Sequence, residues 1–295
     1  MSSTKKKILL AGGSGYLGSF LGNILADDFT VCSTSGSGKA PFIHLDLLQP
    51  STYQNILREG PFDCVLILAS SMQGLGTMAF KKEYLGLDTS GLPAFLQFLS
   101  DNKLSEKIIY TSSMTVYGTA NAVPVKEEGK LEPLSTYGLG KVLGEKIFQH
   151  YCRFAAAKGA VLRIPGIYGG SRTSGFVFST AKKCRSNETI SIDKSSAGYW
   201  ETMHIADLSM AIRDFLLSYD WAMDFDVFNI GYGTSTEIVA CAAAIKEFLG
   251  SGSEIIQKGN AFTDLYLDNS KIKKYISIEN NYRSSLEKYV KSIPA

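Results

Sequence analysis

The chain has 295 residues, 45% of them hydrophobic and 20% charged, enough for one large or two smaller domains with a real core. Thirty Lys and Arg against twenty-eight Asp and Glu leave a net charge of +2, which gives no electrostatic case for nucleic acid or an anionic membrane. No apolar run approaches the ~20 residues of a membrane span, and the one after Lys5-Lys6-Lys7 is too short for a leader; five scattered cysteines and three scattered histidines suit a reducing cytosol, with neither disulfides nor a metal site.

Residues 7–11 form a short apolar run that predicts a buried strand, and the turn Gly12-Gly13-Ser14-Gly15-Tyr16-Leu17-Gly18 follows it. Phe20, Leu21, Ile24 and Leu25 then fall at helical spacing. A strand, a glycine turn and a helix in that order make a phosphate cradle. The glycines let the backbone approach a pyrophosphate, and the helix N-terminus offers free N–H groups and a positive dipole end. Residues 29–33 predict a second strand, trailed by the polar run Thr34-Ser35-Gly36-Ser37-Gly38-Lys39. Residues 42–45 predict a third, short strand ending at Asp46, and 53–58 a short helix. Residues 63–69 are apolar throughout, as central parallel strands are. A longer helix carries Leu87, Leu92, Phe95, Leu96 and Leu99, followed by a strand at 107–113, a helix at 137–154 and a strand at 160–164. The alternation predicts an α/β fold on a doubly wound parallel sheet. Ligands collect at the carboxyl ends of such strands. Gly12, Ser33, Asp46, Ser70 and Ser113 all stand just past those ends.

The pattern changes after Pro165. Residues 166–200 are rich in Gly, Ser and Thr; 207–217 predicts a helix, 225–230 a last sheet strand and 237–249 an amphipathic helix, and the remainder is short and mixed.

Two stretches can carry chemistry. On a helix, positions i and i+4 share a face, which puts the Tyr137 phenol and the Lys141 ammonium on one side. A free phenol ionises near pH 10; a unit charge about 4 Å away in an effective dielectric of ~20 is worth about 4 kcal/mol, enough to make a working acid/base. Tyr-x-x-x-Lys also arises on ordinary helix surfaces. Ser113 closes the strand inside Thr111-Ser112-Ser113-Met114-Thr115-Val116-Tyr117-Gly118, where its hydroxyl can bond a substrate oxygen or merely cap a turn.

Together these elements resemble the extended short-chain dehydrogenase/reductase family, the epimerase/dehydratase superfamily, over nearly the whole chain. The opening loop is similar to the family's G-x-x-G-x-x-G, S-S-M-T-V-Y-G to its S-S-x-x-V-Y-G, and Y-G-L-G-K-x-x-G-E to its Y-x-x-S-K-x-x-x-E. L-R-I-P-G-I-Y-G, H-I-A-D-L at 204–208 and N-I-G at 229–231 complete the series. The resemblance implies a dinucleotide-binding Rossmann domain of 1–165 plus about 201–230. A smaller mixed substrate lobe would comprise 166–200 and about 231–295. It implies Ser113, Tyr137 and Lys141 as catalytic residues, with Ser113 and Tyr137 holding the substrate oxygen and Lys141 also holding the nicotinamide ribose. Around the cofactor it places Gly12 to Gly18, Ser33, Thr34, Ser35, Asp46, Leu47, Leu68, Ala69, Ser70, Ile164 and Pro165. At the substrate it places Ser71, Met114, Thr115, Gly166, Tyr168 and Trp200. It further implies a homodimer through the Tyr137 and Leu87–Leu99 helices, and no metal.

The departures matter. Met114 and Thr115 replace the acidic residues of sugar-nucleotide dehydratases, which disfavours that reaction. Gly166 and Trp200 stand where nucleotide-sugar enzymes carry an Asn and a diphosphate-gripping Arg; Arg172, Lys182, Lys183 or Arg185 is then expected to take the diphosphate. Asp88 stands where the family has Asn. His204 is expected to hold the loop before its helix. An acid about 20 residues after the glycine turn would select NAD, and none occurs between Phe29 and Pro41. Hydroxyls and Lys39 suit a 2′-phosphate instead, so NADP is expected ahead of NAD. The sequence therefore predicts an NADP(H)-dependent oxidoreductase acting at a hydroxyl or keto carbon of a small molecule, a sugar or sugar nucleotide. The alternatives are a sugar-nucleotide 4-epimerase that retains NAD, and a non-catalytic nucleotide sensor.

Overall fold

In β1 (Lys7–Ala11), Ile8 and Leu10 enter one apolar cluster while Leu9 and Ala11 enter another, so the strand is buried on both faces. The same two-sided burial runs through the sheet in the computed structural model, which describes residues 5–71, 80–119, 121–193, 199–259 and 264–294. After α1 (Tyr16–Leu25) come β2 (Thr30–Ser35), β3 (Ile43–His44), β4 (Cys64–Ile67), α2 (Leu92–Asp101), β5 (Lys107–Ser113), α3 (Thr136–Phe154) and β6 (Lys158–Ile164). The second part holds β7 (Gly166–Tyr168), α4 (Phe176–Arg185), β8 (Ile190–Asp193), β9 (Tyr199–Trp200), β10 (Thr202–His204), α5 (Ile205–Ser218) and β11 (Phe225–Asn229). β12 (Thr236–Glu237), α6 (Ile238–Leu249), β13 (Ile255–Lys258) and α7 (Tyr282–Ser292) end it.

Seven strands form one parallel sheet in the order β11-β6-β5-β4-β1-β2-β3. Leu21 and Leu25 of α1 and Leu208, Ile212 and Phe215 of α5 cover the Ile8 face. Leu92, Phe95 and Leu99 of α2 and Phe148 of α3 cover the other. This is the doubly wound sheet the alternation predicts. A separate apolar cluster joins α4, α6, α7, β8 and Tyr168. Among the described residues no helix is long and apolar enough to cross a membrane, and all five cysteines are free and buried.

Several elements differ from expectation. The second strand continues to Ser35 because the Thr34 hydroxyl finds partners inside: it donates to the Leu10 carbonyl and accepts the Gly12 N–H. Residues 50–56 form 3-10 turns, where a helix at 53–58 is expected. A wide turn, Leu87–Gly91, leads into α2. Helices α4 and α7 are not anticipated at all. Ile272 and Ile276 pack into the sheet's own core, not with α4, α6 and α7, so not all of 231–295 joins the smaller cluster.

Glu201 ties three segments together. It is fully buried; its carboxylate accepts the Gly233 and Leu267 N–H groups, and it fills the space a side chain at Gly231 would need. Burial, working against those bonds, pushes its carboxyl up to about 7. The folded chain therefore holds a proton there that the unfolded chain has released, so stability falls as pH rises from about 4.5 to about 7 and levels off above. Urea unfolding at pH 5 and pH 8 should show a loss of roughly 3 kcal/mol from this group. Glu201→Gln should flatten that difference; an equal pH slope in both proteins would refute the assignment.

Candidate active site

The glycine turn is held by close packing. Gly12 has φ +99°, and a Cβ on Gly18 would lie 2.3 Å from the Gly12 carbonyl oxygen, so only glycine lets α1 approach the turn this closely. α1 starts at Tyr16 behind Gly15, which supplies no side-chain cap. The first-turn N–H groups of Tyr16, Leu17 and Gly18 thus have no partner within the helix and face the end of the sheet as an anion site. Beside them, past β4, a Cβ on Gly12 would lie 2.7 Å from the Ala69 nitrogen, and the buried Ser70 Oγ lacks a hydrogen-bond partner among the described residues. A cradle that any side chain would fill, beside an orphaned hydroxyl, fits a dinucleotide. The Asp46 carboxylate accepts from Leu48 N–H and Gln49 Nε2.

The hydroxyls of β2 behave differently from expectation. Thr34 is consumed by the cradle. The Ser33 side chain lies under Gly13, whose Cβ would stand 2.8 Å from it. Ser35 is buried and shares a 3.0 Å hydrogen bond with Ser37. The expectation that Thr34 and Ser35 meet a 2′-phosphate is corrected: they shape the loop, and Ser37 and Lys39 are the exposed groups beyond it.

Ser113 ends β5 next to this cradle. Its Oγ accepts the Thr115 N–H at 3.2 Å and the Thr115 hydroxyl at 3.0 Å. With both lone pairs engaged, its own O–H is left to donate outward. Tyr137 sits in the first turn of α3, which Ser135 caps by accepting the Gly138 N–H. One turn on, Lys141 is buried and bonds Asp88 at 3.1 Å and the Tyr110 hydroxyl at 3.2 Å.

A second buried network supports these elements. Arg163 of β6 forms a fork with Glu145 of α3, Nε to Oε1 at 3.0 Å and Nη2 to Oε2 at 2.6 Å. Ser112 donates to the same carboxylate, and Arg163 also donates to the Tyr117 hydroxyl at 2.7 Å. Tyr117 passes its proton bond on to Asn229, at the end of β11, whose amide donates to the Val125 and Asp268 carbonyls. In the sequence these residues stand as motif matches without a role. A charge inside the apolar run A-V-L-R-I is the signal that a partner must exist.

On the substrate side the placements divide. Ser71 and Thr115 are partly exposed near the sheet's end. Met114 is 1% exposed in an apolar cluster, and Tyr168 is buried among His204, Tyr282 and Tyr289; neither surface is open to a ligand, which corrects both expectations. Leu47 and Pro165 are also buried, and Leu68, Ala69 and Ile164 partly so. Gly166 and Trp200 turn out to be one feature: a Cβ at 166 would lie 2.6 Å from the Trp200 indole nitrogen, so the glycine makes room for the indole. Of Tyr199 only the backbone is described. Lys182 and Arg185 bond carbonyls near the end of α7, away from the cradle. Arg172, by contrast, lies over the Tyr16 ring at 5.4 Å, and the Tyr16 hydroxyl donates to the Gly169 carbonyl. His204 caps α5, accepting the Ala206 N–H at Nδ1, as expected of a loop anchor.

A phosphate cradle at the carboxyl edge of a parallel sheet, with a serine, a tyrosine and a lysine on neighbouring elements, defines a nicotinamide-dinucleotide-dependent enzyme. The chain belongs to the NAD dependent epimerase/dehydratase family, whose model matches residues 8–231. It is 24% identical over 281 residues to a putative UDP-glucose 4-epimerase of Methanocaldococcus jannaschii, covering 88% of this chain and 89% of that one. A UDP-glucose 4-epimerase of Thermotoga maritima, solved with UDP-glucose, has the same fold at a TM-score of 0.84, with 21% identity and 97% of each chain covered. The UDP-glucose 4-epimerase of Thermus thermophilus, solved with NAD, matches at 0.82, with 18% identity over 97% of this chain and 98% of that one.

Proposed function

We propose that this enzyme inverts a hydroxyl-bearing carbon of a nucleotide-linked sugar, as a 4-epimerase. The observation that carries the reading is the Ser113 hydroxyl, whose oxygen accepts twice from Thr115 and keeps its own O–H to donate, on a strand packed against the helix that carries Tyr137. The first turn of α1, Ser70 and Asp46 would hold the dinucleotide. Bound there, the nicotinamide supplies a reversible hydride acceptor. Ser113 donates a hydrogen bond to the substrate oxygen, and Tyr137 takes the hydroxyl proton as the carbonyl forms and returns it when the alcohol reforms. Its relatives support this reading, since the first of them spans nearly the same length and is named a 4-epimerase.

One observation favours a second reading. No carboxylate follows β2, where an NAD ribose would be gripped, and Ser37 and Lys39 are exposed there. An NADP(H)-dependent reductase of a keto-sugar fits that end of the site better. A single experiment separates the two: incubate the purified enzyme with UDP-glucose, UDP-galactose and their N-acetyl forms without added cofactor, and identify the retained nucleotide by mass spectrometry. Epimer exchange with retained NAD supports the epimerase. Exchange absent, with net NADPH consumption on keto-sugars, overturns it in favour of the reductase.

A further inference from the structure

The turn after β7 reaches back to the glycine cradle. The Gly169 carbonyl accepts the Tyr16 hydroxyl at 2.8 Å and the Arg172 N–H at 3.4 Å, so one oxygen joins the first residue of α1 to the turn. Gly169 lies at φ +105°, and a Cβ there would stand 2.4 Å from the His204 ring, which fixes where the turn runs. From the other side, the Tyr289 hydroxyl of α7 donates to the Arg172 carbonyl at 2.9 Å. The Arg172 side chain is returned over the Tyr16 ring, its guanidinium 5.4 Å from the ring centre. Arg163, Arg213 and Arg283 each hold a carboxylate, and Arg185 holds carbonyls at the end of α7. Arg172 is half-buried and has no carboxylate partner among the described residues. Its Nη1 donates to the Ile167 carbonyl at 3.0 Å and its Nε to the Ser174 hydroxyl at 3.4 Å, both neutral, and Nη2 has no partner among the described residues. A guanidinium held in place with its charge unanswered is set for an anion that arrives from solution.

Position supplies the class of anion. Tyr16, under the guanidinium, opens the helix whose first-turn N–H groups take a phosphate. Trp200, seated on Gly166, brings no charge. Lys182 is turned to the Pro294 carbonyl, and Lys183 stands about two turns along α4 from its start. Of the four cations expected to meet a diphosphate, Arg172 is the one in contact with the first turn of α1. We propose that Arg172 is a diphosphate-binding residue, with Tyr16 as its seat, and that it supplies the ionic grip that position 200 lacks. The dinucleotide and the nucleotide-linked sugar both carry that group. The sugar arm of the inference rests on the proposed function; the dinucleotide arm does not. The planar fork of a guanidinium matches two phosphate oxygens at once, which a lysine at the same place would not.

The test is calorimetric binding of ADP-ribose and of UDP to the full chain, exchanged free of any nucleotide carried through purification, at about 50 and about 500 mM salt. Arg172→Gln should weaken one of the two ligands by about 10- to 100-fold and leave the other within about two-fold. The weakened ligand should also lose part of its salt dependence, because a screened charge has been removed. A loss on ADP-ribose assigns the contact to the dinucleotide, and a loss on UDP assigns it to the nucleotide-linked sugar. Arg172→Lys, which keeps the charge without the fork, should fall between wild type and Arg172→Gln. It carries the same measurement should Arg172→Gln not fold. Neither ligand weakened, both weakened alike, or a loss with the salt dependence intact overturns the inference. Because binding needs no turnover, a wild-type chain that takes ADP-ribose but not UDP would sink the nucleotide-sugar reading and still leave the dinucleotide arm to decide Arg172.

Discussion

Tyr137→Phe should lower turnover by about 10²–10⁴-fold, the range lost when a positioned general acid/base is removed. The change deletes one oxygen. Tyr137 is nearly buried in the first turn of α3, and its ring keeps its packing as phenylalanine. The cradle of Gly12 to Gly18 and the Ser113 hydroxyl are untouched, so dinucleotide affinity should stay within a few-fold of wild type. The loss should therefore fall on kcat, with KM nearly constant, as expected for an interaction made at the reacting atoms. Steady-state kinetics together with a calorimetric cofactor titration check both halves. Turnover that survives the substitution would show that another group moves the proton.

The second large effect is on stability. Glu145→Ala should destabilise the fold by about 3–5 kcal/mol, because it strands the Arg163 guanidinium inside the protein. Arg163 is 3% exposed, and its remaining partners, the Tyr117 hydroxyl and the Glu127 carbonyl, are neutral. Neither supplies the negative charge that a buried cation needs. In a chain of this size the thermal midpoint should drop on the order of 10 °C. Adding Arg163→Met to Glu145→Ala should recover much of the loss, since an apolar pair has no charge to strand. If the single substitution proves nearly neutral by calorimetry, water must reach Arg163 and the fork is not the anchor described.

Much of the fold can be read from the chain because a central parallel strand must be apolar on both faces. Runs such as Ile8 to Ala11 and Cys64 to Ile67 announce themselves, and the glycine turn is visible because close packing forbids anything else there. The end of β2 is not visible in this way. Thr34 and Ser35 look like loop residues until the Leu10 carbonyl and the Gly12 N–H are known to satisfy Thr34. Helix α4 escapes because its inward face is Val177, Thr180, Ala181 and Cys184, small or polar residues that raise little hydrophobic signal. Helix α7 escapes because Leu286, Tyr289 and Val290 are diluted by charge. Spacing along one helix places Tyr137 and Lys141 one turn apart on α3. The partner that occupies Lys141 lies 53 residues away on another element, a relation that local periodicity does not encode. The Gly166–Trp200 fit is of the same kind: each residue looks like an independent departure, and it takes the pairing of Gly166 with Thr202, two residues past Trp200, to bring them together.

The Asn229 amide has a bearing on how the chain comes into being. It bonds carbonyls at Val125 and Asp268, and the same neighbourhood is bridged by Val125 and Leu267. During synthesis the glycine cradle, Ser113 and Tyr137 all leave the ribosome long before residue 268 does. Until that last segment arrives, Asn229 lacks one acceptor and Tyr117 rests on an unfinished support. Contacts of such sequence separation form late and slowly. A nascent chain should therefore be able to form the glycine cradle before the Tyr117–Asn229 end of the Arg163 network is complete.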